Sequence, residues 1–120
     1  GAPLIFEQGV NERPWRLTLS SPLTLLDSND QPSGLKALEL SNNGMLVQYG
    51  KPGLPASNPL LQLMLPEDRR VQLRARLVRR VCQSRYAYRL QTLHAEDEQT
   101  LRRYLFEQHS AQPLQMAAVS

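Results

Sequence analysis

A single cysteine, Cys82, occurs in 120 residues. That excludes an internal disulfide and a thiolate metal cluster, and it fits a reducing setting such as the cytosol. Histidine is as scarce. His94 and His109 are the only two, and neither stands beside an obvious carboxylate orienter or nucleophile. A four-ligand zinc centre and a Ser–His or Cys–His catalytic pair are therefore not expected. No glycine-rich phosphate loop of the Walker or dinucleotide type is present. Polar residues interrupt every apolar run before it reaches the length of a membrane-spanning helix. The first residues lack a basic segment followed by an apolar one, so no signal peptide is expected. Aromatic residues make up 6%, with no ladder of them along one segment, which argues against a barrel that stacks nucleic-acid bases. The expectation is a cytoplasmic protein that is not an enzyme, has no metal or redox cofactor, binds no nucleic acid and does not insert directly into a membrane.

What the chain does have is enough apolar character for one core, at 41% hydrophobic residues, and a length that suits a single domain. Its net charge of +3 is made almost wholly by arginine: twelve Arg against two Lys. Arginine offers a rigid fork that fits phosphate and guanine edges. Two readings stay open at this level, a phosphate-bearing partner and a basic, solvated sheet face.

The patterning is that of strands. Leu17, Leu19, Leu23 and Leu25 alternate with Thr18, Ser20 and Thr24, the period of a half-buried strand. Pro22 removes a ladder donor, which predicts an edge position or a bend. A loop over residues 27–34 leads to a second strand, Leu35 to Ser41. This meets a third, Met45 to Tyr49, through Asn42-Asn43-Gly44, residues that tolerate the positive φ of tight hairpins. A proline-stiffened loop over residues 51–59 precedes a short strand, Leu60 to Leu65. Val71, Leu73, Ala75 and Leu77 then alternate with Gln72, Arg74 and Arg76 in a long strand to Cys82. The alternation slips at Val78-Arg79, which predicts a bulge. Arg85 falls in a turn, and Tyr86 to Leu93 is the last strand. From Glu96 the period becomes helical. Glu96, Asp97 and Glu98 suit a helix N-terminus, Leu101, Tyr104 and Leu105 form one stripe, Gln108 continues it, and Phe106 falls outside it. The predicted fold class is all-β with one helix: a six-stranded antiparallel barrel capped by a C-terminal α-helix at about residues 96–110. Residues 1–12 read as a flexible lead-in, 13–110 as the domain and 111–120 as a frayed tail.

Two segments carry chemistry. Glu12-Arg13-Pro14-Trp15-Arg16 precedes the first strand, and Glu39-Leu40-Ser41-Asn42-Asn43-Gly44 forms the tip of the first hairpin. If Leu38 and Leu40 face inward, Glu39 and Ser41 face outward. An acid, a hydroxyl and a glycine then share a face with two nearby arginines. That set suits a guanine-containing anion. It also reads as an ordinary turn beside a solvated terminus.

These segments resemble the PilZ family, which carries an RxxxR motif ahead of its first strand and a (D/N)xSxxG motif further on. Arg16 running into Leu17-Thr18-Leu19 is similar to the second arginine and the strand after it. Glu39 to Gly44 with Met45-Leu46-Val47 resembles the second motif and its strand, residues 71–81 the family's long strand, and residues 88–93 with the following helix its usual close. The resemblance spans roughly Arg13 to His109. It implies a PilZ-like barrel and a bacterial signalling module that binds cyclic di-GMP as a regulatory ligand. Such a module relays the signal to a partner protein in motility, polysaccharide or virulence control. The implied ligand-binding residues are Arg13, Arg16, Glu39, Ser41 and Gly44. Two positions depart from the pattern. Glu12 stands where the first arginine belongs, with Arg13 one place late, and Glu39 stands where the family has Asp or Asn. The alternative is a degenerate PilZ domain that binds no nucleotide and serves as a protein-interaction module. A nucleic-acid-binding barrel, suggested by Arg74, Arg76 and Arg80, ranks behind both.

No ligand-spaced neighbour accompanies Cys82, so Cys82→Ser is expected to leave any ligand binding unchanged. Stoichiometric zinc in the purified protein, lost on that substitution, would contradict this reading.

Overall fold

The computed structural model of the chain describes residues 16–110. Six antiparallel strands form a closed barrel in the order β1-β2-β3-β6-β5-β4, and one helix follows them. The strands are β1 (Leu17–Asp27), β2 (Pro32–Leu40), β3 (Gly44–Tyr49), β4 (Leu60–Leu65), β5 (Arg69–Cys82) and β6 (Arg85–Thr92), and the helix is α1 (Ala95–Ser110). β1 closes the ring by pairing with β4 through Leu25↔Leu63, Leu26↔Gln62 and Asp27↔Leu61. Among the described residues no helix is long and apolar enough to cross a membrane.

The two-residue period supplies the core. Leu17, Leu25, Leu35, Ala37, Leu40, Val47, Leu63, Val71, Leu73, Ala75, Tyr86 and Tyr88 all point inward and are buried. Leu101, Tyr104 and Leu105 add the predicted helical stripe to the same cluster, and Phe106 is exposed. α1 starts where the His94 carbonyl accepts from Asp97 N–H at 3.0 Å and Glu98 N–H at 3.1 Å. Asp97 also accepts from the Gln72 backbone N–H at 3.3 Å, which ties the helix to β5.

Bulges fit the strands to the ring. The β1–β2 register jumps from Thr18↔Glu39 to Leu23↔Ala37, so residues 19–22 of β1, Pro22 among them, stand against the single residue Leu38 of β2. The expected bend is there, but an edge position is not, because β1 has neighbours on both sides. The predicted slip in β5 lies between Leu77 and Arg79. In β2 the register passes from Ala37↔Val47 to Glu39↔Leu46, a bulge that alternation alone did not reveal. It corrects the expected phase: Ala37 and Leu40 face the core, while Leu38 is only half-buried. The loop expected over residues 27–34 is shorter, because β1 runs to Asp27 and β2 begins at Pro32, and between them Asp27 Oδ1 accepts from Asn29 N–H at 2.8 Å and Gln31 N–H at 3.0 Å. Arg85 opens β6 and is not a turn residue.

Tyr88 locks the proline-stiffened loop onto the barrel. Its ring is 2% exposed, and its hydroxyl donates to the Ala56 carbonyl at 2.6 Å. Burial, reinforced by the neighbouring Tyr49 and Tyr86 hydroxyls, pushes its pKa up from 10.0 to about 12. The folded state therefore holds the phenolic proton more tightly than the unfolded chain does. Stability is unaffected by this group below the unfolded value and is lost as pH rises through the folded one. The unfolding temperature is expected to fall between pH 10 and 12, and Tyr88→Phe to flatten that fall. At neutral pH Tyr88→Phe is expected to cost about 1–2 kcal/mol in a denaturant titration, from the lost hydrogen bond.

Candidate functional site

Strand register assembles the site. Leu17 pairs with Leu40, so Arg16, just before β1, falls beside Ser41, just after β2. Ser41 N–H in turn donates to the Gly44 carbonyl at 2.9 Å. The hairpin tip rests on β6, where Leu90 N–H donates to the Asn43 carbonyl at 3.0 Å. The structure thus brings Arg16, Glu39, Ser41 and Gly44 together at one end of the barrel. Arg13 lies outside the described residues, as does Glu12.

Arg16 and Glu39 meet as an ion pair, Nη1 to Oε1 at 3.4 Å, with the arginine side chain 63% exposed and the glutamate 28%. So exposed a pair contributes at most about 1 kcal/mol to stability. Its importance is positional, because it sets an anion against the arginine for which the family resemblance implies a ligand contact.

Ser41 does not face outward as expected. It is 3% exposed, and its Oγ lies 3.2 Å from both Asn43 Oδ1 and the Gly44 carbonyl, with one proton to share between them. The same Oγ accepts from Asn43 N–H at 3.4 Å. The hydroxyl is consumed in holding the turn. Positive φ, expected at the Asn-Gly tip, occurs instead at Asp30, Glu67, Asp68, Gly34 and Gly53. Gly44 is required by neither conformation nor space. A Cβ there would meet the Tyr88 carbonyl at 3.4 Å and Ser41 Oγ at 3.6 Å, ordinary contact distances. What the glycine leaves is a bare stretch of outer face.

Of the arginines first considered as one stripe, Arg74 and Arg76 point outward on β5. Arg80, beyond the bulge, turns back onto its own hairpin, donating from Nε to the Cys82 carbonyl at 3.1 Å and from Nη2 to the Gln83 carbonyl at 2.8 Å. Arg89 was not singled out from the sequence. Gly44 pairs with Arg89, and Arg89 with Arg76. The Gly44 neighbour comes from the pairing of β3 with β6, distant in sequence, and the Arg76 neighbour from the register of the β5–β6 hairpin.

The architecture is a small closed antiparallel barrel with a C-terminal helix packed on it, and it carries a guanidinium–carboxylate–glycine cluster on its rim. The chain belongs to the PilZ domain family, whose model matches residues 11–107. A solved structure with a similar fold is the Bacillus subtilis inhibitor of motility MotI/DgrA, with TM-score 0.62 and 17% identity over 82% of this chain and 51% of that one. The chain spans about half the length of that protein. No curated protein matches it significantly.

Ser41→Ala is expected to destabilise the fold by about 1–2 kcal/mol, since it strips buried hydrogen bonds from the turn. Gly44→Ala is expected to change stability by less than about 0.5 kcal/mol. Paired thermal or denaturant unfolding curves check both.

Proposed function

We propose that the chain is a cyclic di-GMP receptor module that passes its ligand state to a partner protein. The observation that carries this reading is the apposition of Arg16, Glu39 and Gly44, side by side on the rim where the two family motifs meet. Arg16 is the candidate for phosphate or guanine, the Glu39 carboxylate for guanine donors, and bare Gly44 for close approach of the ligand. Ser41 acts through the turn it holds. Arg13 belongs to the proposed set on the family resemblance alone. Outside the domain's own chemistry, the partner protein is of the kind PilZ modules serve: motility, polysaccharide synthesis or virulence control. No enzymatic activity or metal is assigned, and the module is taken as cytoplasmic.

One observation favours a second reading, a degenerate PilZ domain acting through protein contacts alone. Arg16 already has an anion in Glu39, and the Ser41 hydroxyl is spent in the turn.

Calorimetric titration with cyclic di-GMP, with GTP as control, separates the two. Under the receptor reading the wild type binds in the micromolar range or tighter. Arg16→Ala then loses a charge-assisted contact, roughly 1.5–3 kcal/mol, or about ten- to a hundredfold in affinity, with its melting temperature unchanged. Glu12→Arg restores the RxxxR spacing and tightens binding. Absence of heat at high nucleotide concentration establishes the second reading instead.

A further inference from the structure

The rim row does not stop at Gly44. Arg89 stands directly opposite it on β6, and Arg76 directly opposite Arg89 on β5. Tyr88, Leu90 and Ala75 are buried, so by the two-residue period both arginines emerge on the outer face, and both are exposed. Like charges directly opposite one another destabilise a sheet. Here no carboxylate offsets them: among the described residues the ion-paired arginines are Arg16, Arg69, Arg70 and Arg102. Beside them opens a depression of about 300 Å³ lined by Asn58, Arg74, Arg76, Arg89, Leu90 and Gln91, with no acidic residue. Arg74 Nη1 donates to the Asn58 carbonyl at 3.4 Å on its border. Another depression, of about 360 Å³, is different in kind, because its Arg70 is neutralised by Asp30 at 3.1 Å. Without a carboxylate partner among the described residues, forced together and facing an open hollow, Arg76 and Arg89 have the electrostatics of an anion site.

We propose that Arg76 and Arg89 form a phosphate clamp of the nucleotide site, in place of the arginine that position 12 lacks. The inference rests on the cyclic di-GMP reading. Arg16 lies at one end of the row and the Arg89–Arg76 pair at the other, with the bare backbone of Gly44 between them. A ligand that carries two phosphates on one macrocycle, laid over Gly44, meets guanidinium groups at both ends. The clamp also accounts for a glycine that neither φ nor packing requires: a side chain there would stand between the two cationic ends.

The test is calorimetric titration of the folded chain with cyclic di-GMP for wild type, Arg89→Gln, Arg76→Gln and Arg103→Gln. The last removes the same charge from an exposed position on α1. Arg89→Gln and Arg76→Gln are each expected to weaken binding roughly ten- to a hundredfold, and Arg103→Gln to leave it unchanged. Melting temperatures of the two β-strand variants are expected to equal or exceed that of wild type, because a repulsion is removed. Wild-type binding that survives in Arg89→Gln and Arg76→Gln overturns the clamp and leaves the receptor reading intact. An equal loss in Arg103→Gln does the same, since the effect is then net charge. No binding by wild type overturns both.

Discussion

Closing six strands into a ring leaves room for little more than one packed filling of side chains, and every strand must meet that filling in phase. Here the seam is the short β1–β4 pairing, Leu25↔Leu63 to Asp27↔Leu61. Beside it Gln62, buried at 8% exposure, donates from Nε2 to the Asp27 carbonyl at 2.9 Å and accepts from Arg70 Nη1 at 3.1 Å. An unsatisfied amide there would cost about 1–3 kcal/mol, so this small network is part of what keeps the ring shut. Phase is restored elsewhere by bulges in β1, β2 and β5, and the bulge in β2 determines the chemistry of the rim. It sends Ala37 and Leu40 inward, leaves Glu39 on the outer side within reach of Arg16, and brings Ser41 beneath the turn.

Much of this was legible in the sequence, and the rest was not for identifiable reasons. Alternation located β1 and β5, turn and loop composition located the other strands between them, and the stripe Leu101, Tyr104, Leu105 located the helix. The slip at Val78-Arg79 was visible because charges interrupt the alternation there. The slip at Leu38 was hidden, since Leu38 and Leu40 are both apolar and the true inward partner, Ala37, is small. Asn42-Asn43-Gly44 has the composition of a positive-φ hairpin, yet the Ser41 hydroxyl and β6 hold the turn without one, while Glu67 and Asp68 take positive φ in the β4–β5 turn. Arg16, Glu39 and Gly44 were found because the motif is linear. Arg89 was missed because Gly44 is far away in the chain, and because the irregularities in β5 hide which residue of its own hairpin, Arg76, stands opposite it.

The rim therefore has two layers of information. Its linear part belongs to a family pattern, with Glu12 and Glu39 as departures. Its lateral part, Gly44–Arg89–Arg76, belongs to the sheet, where adjacent strands lie about 4.8 Å apart and a few steps span a small ligand. A motif weakened along the chain can be compensated across it, and such compensation leaves no trace in the spacing of residues along the sequence.

Arg16 with Glu39 at 3.4 Å is an arginine whose counter-ion is built in. A phosphate arriving there displaces a tethered carboxylate and not only water. The exchange is isocoulombic at that point, one charged pair for another. The tether gives the carboxylate a fixed effective concentration, and an incoming phosphate has to exceed it before Arg16 changes hands. Added salt weakens the resident pair and the incoming one together. Under the receptor reading, the steep ionic-strength penalty common to phosphate binding is thereby blunted at this residue, and the balance between the two partners follows ligand concentration more than the salinity of the medium.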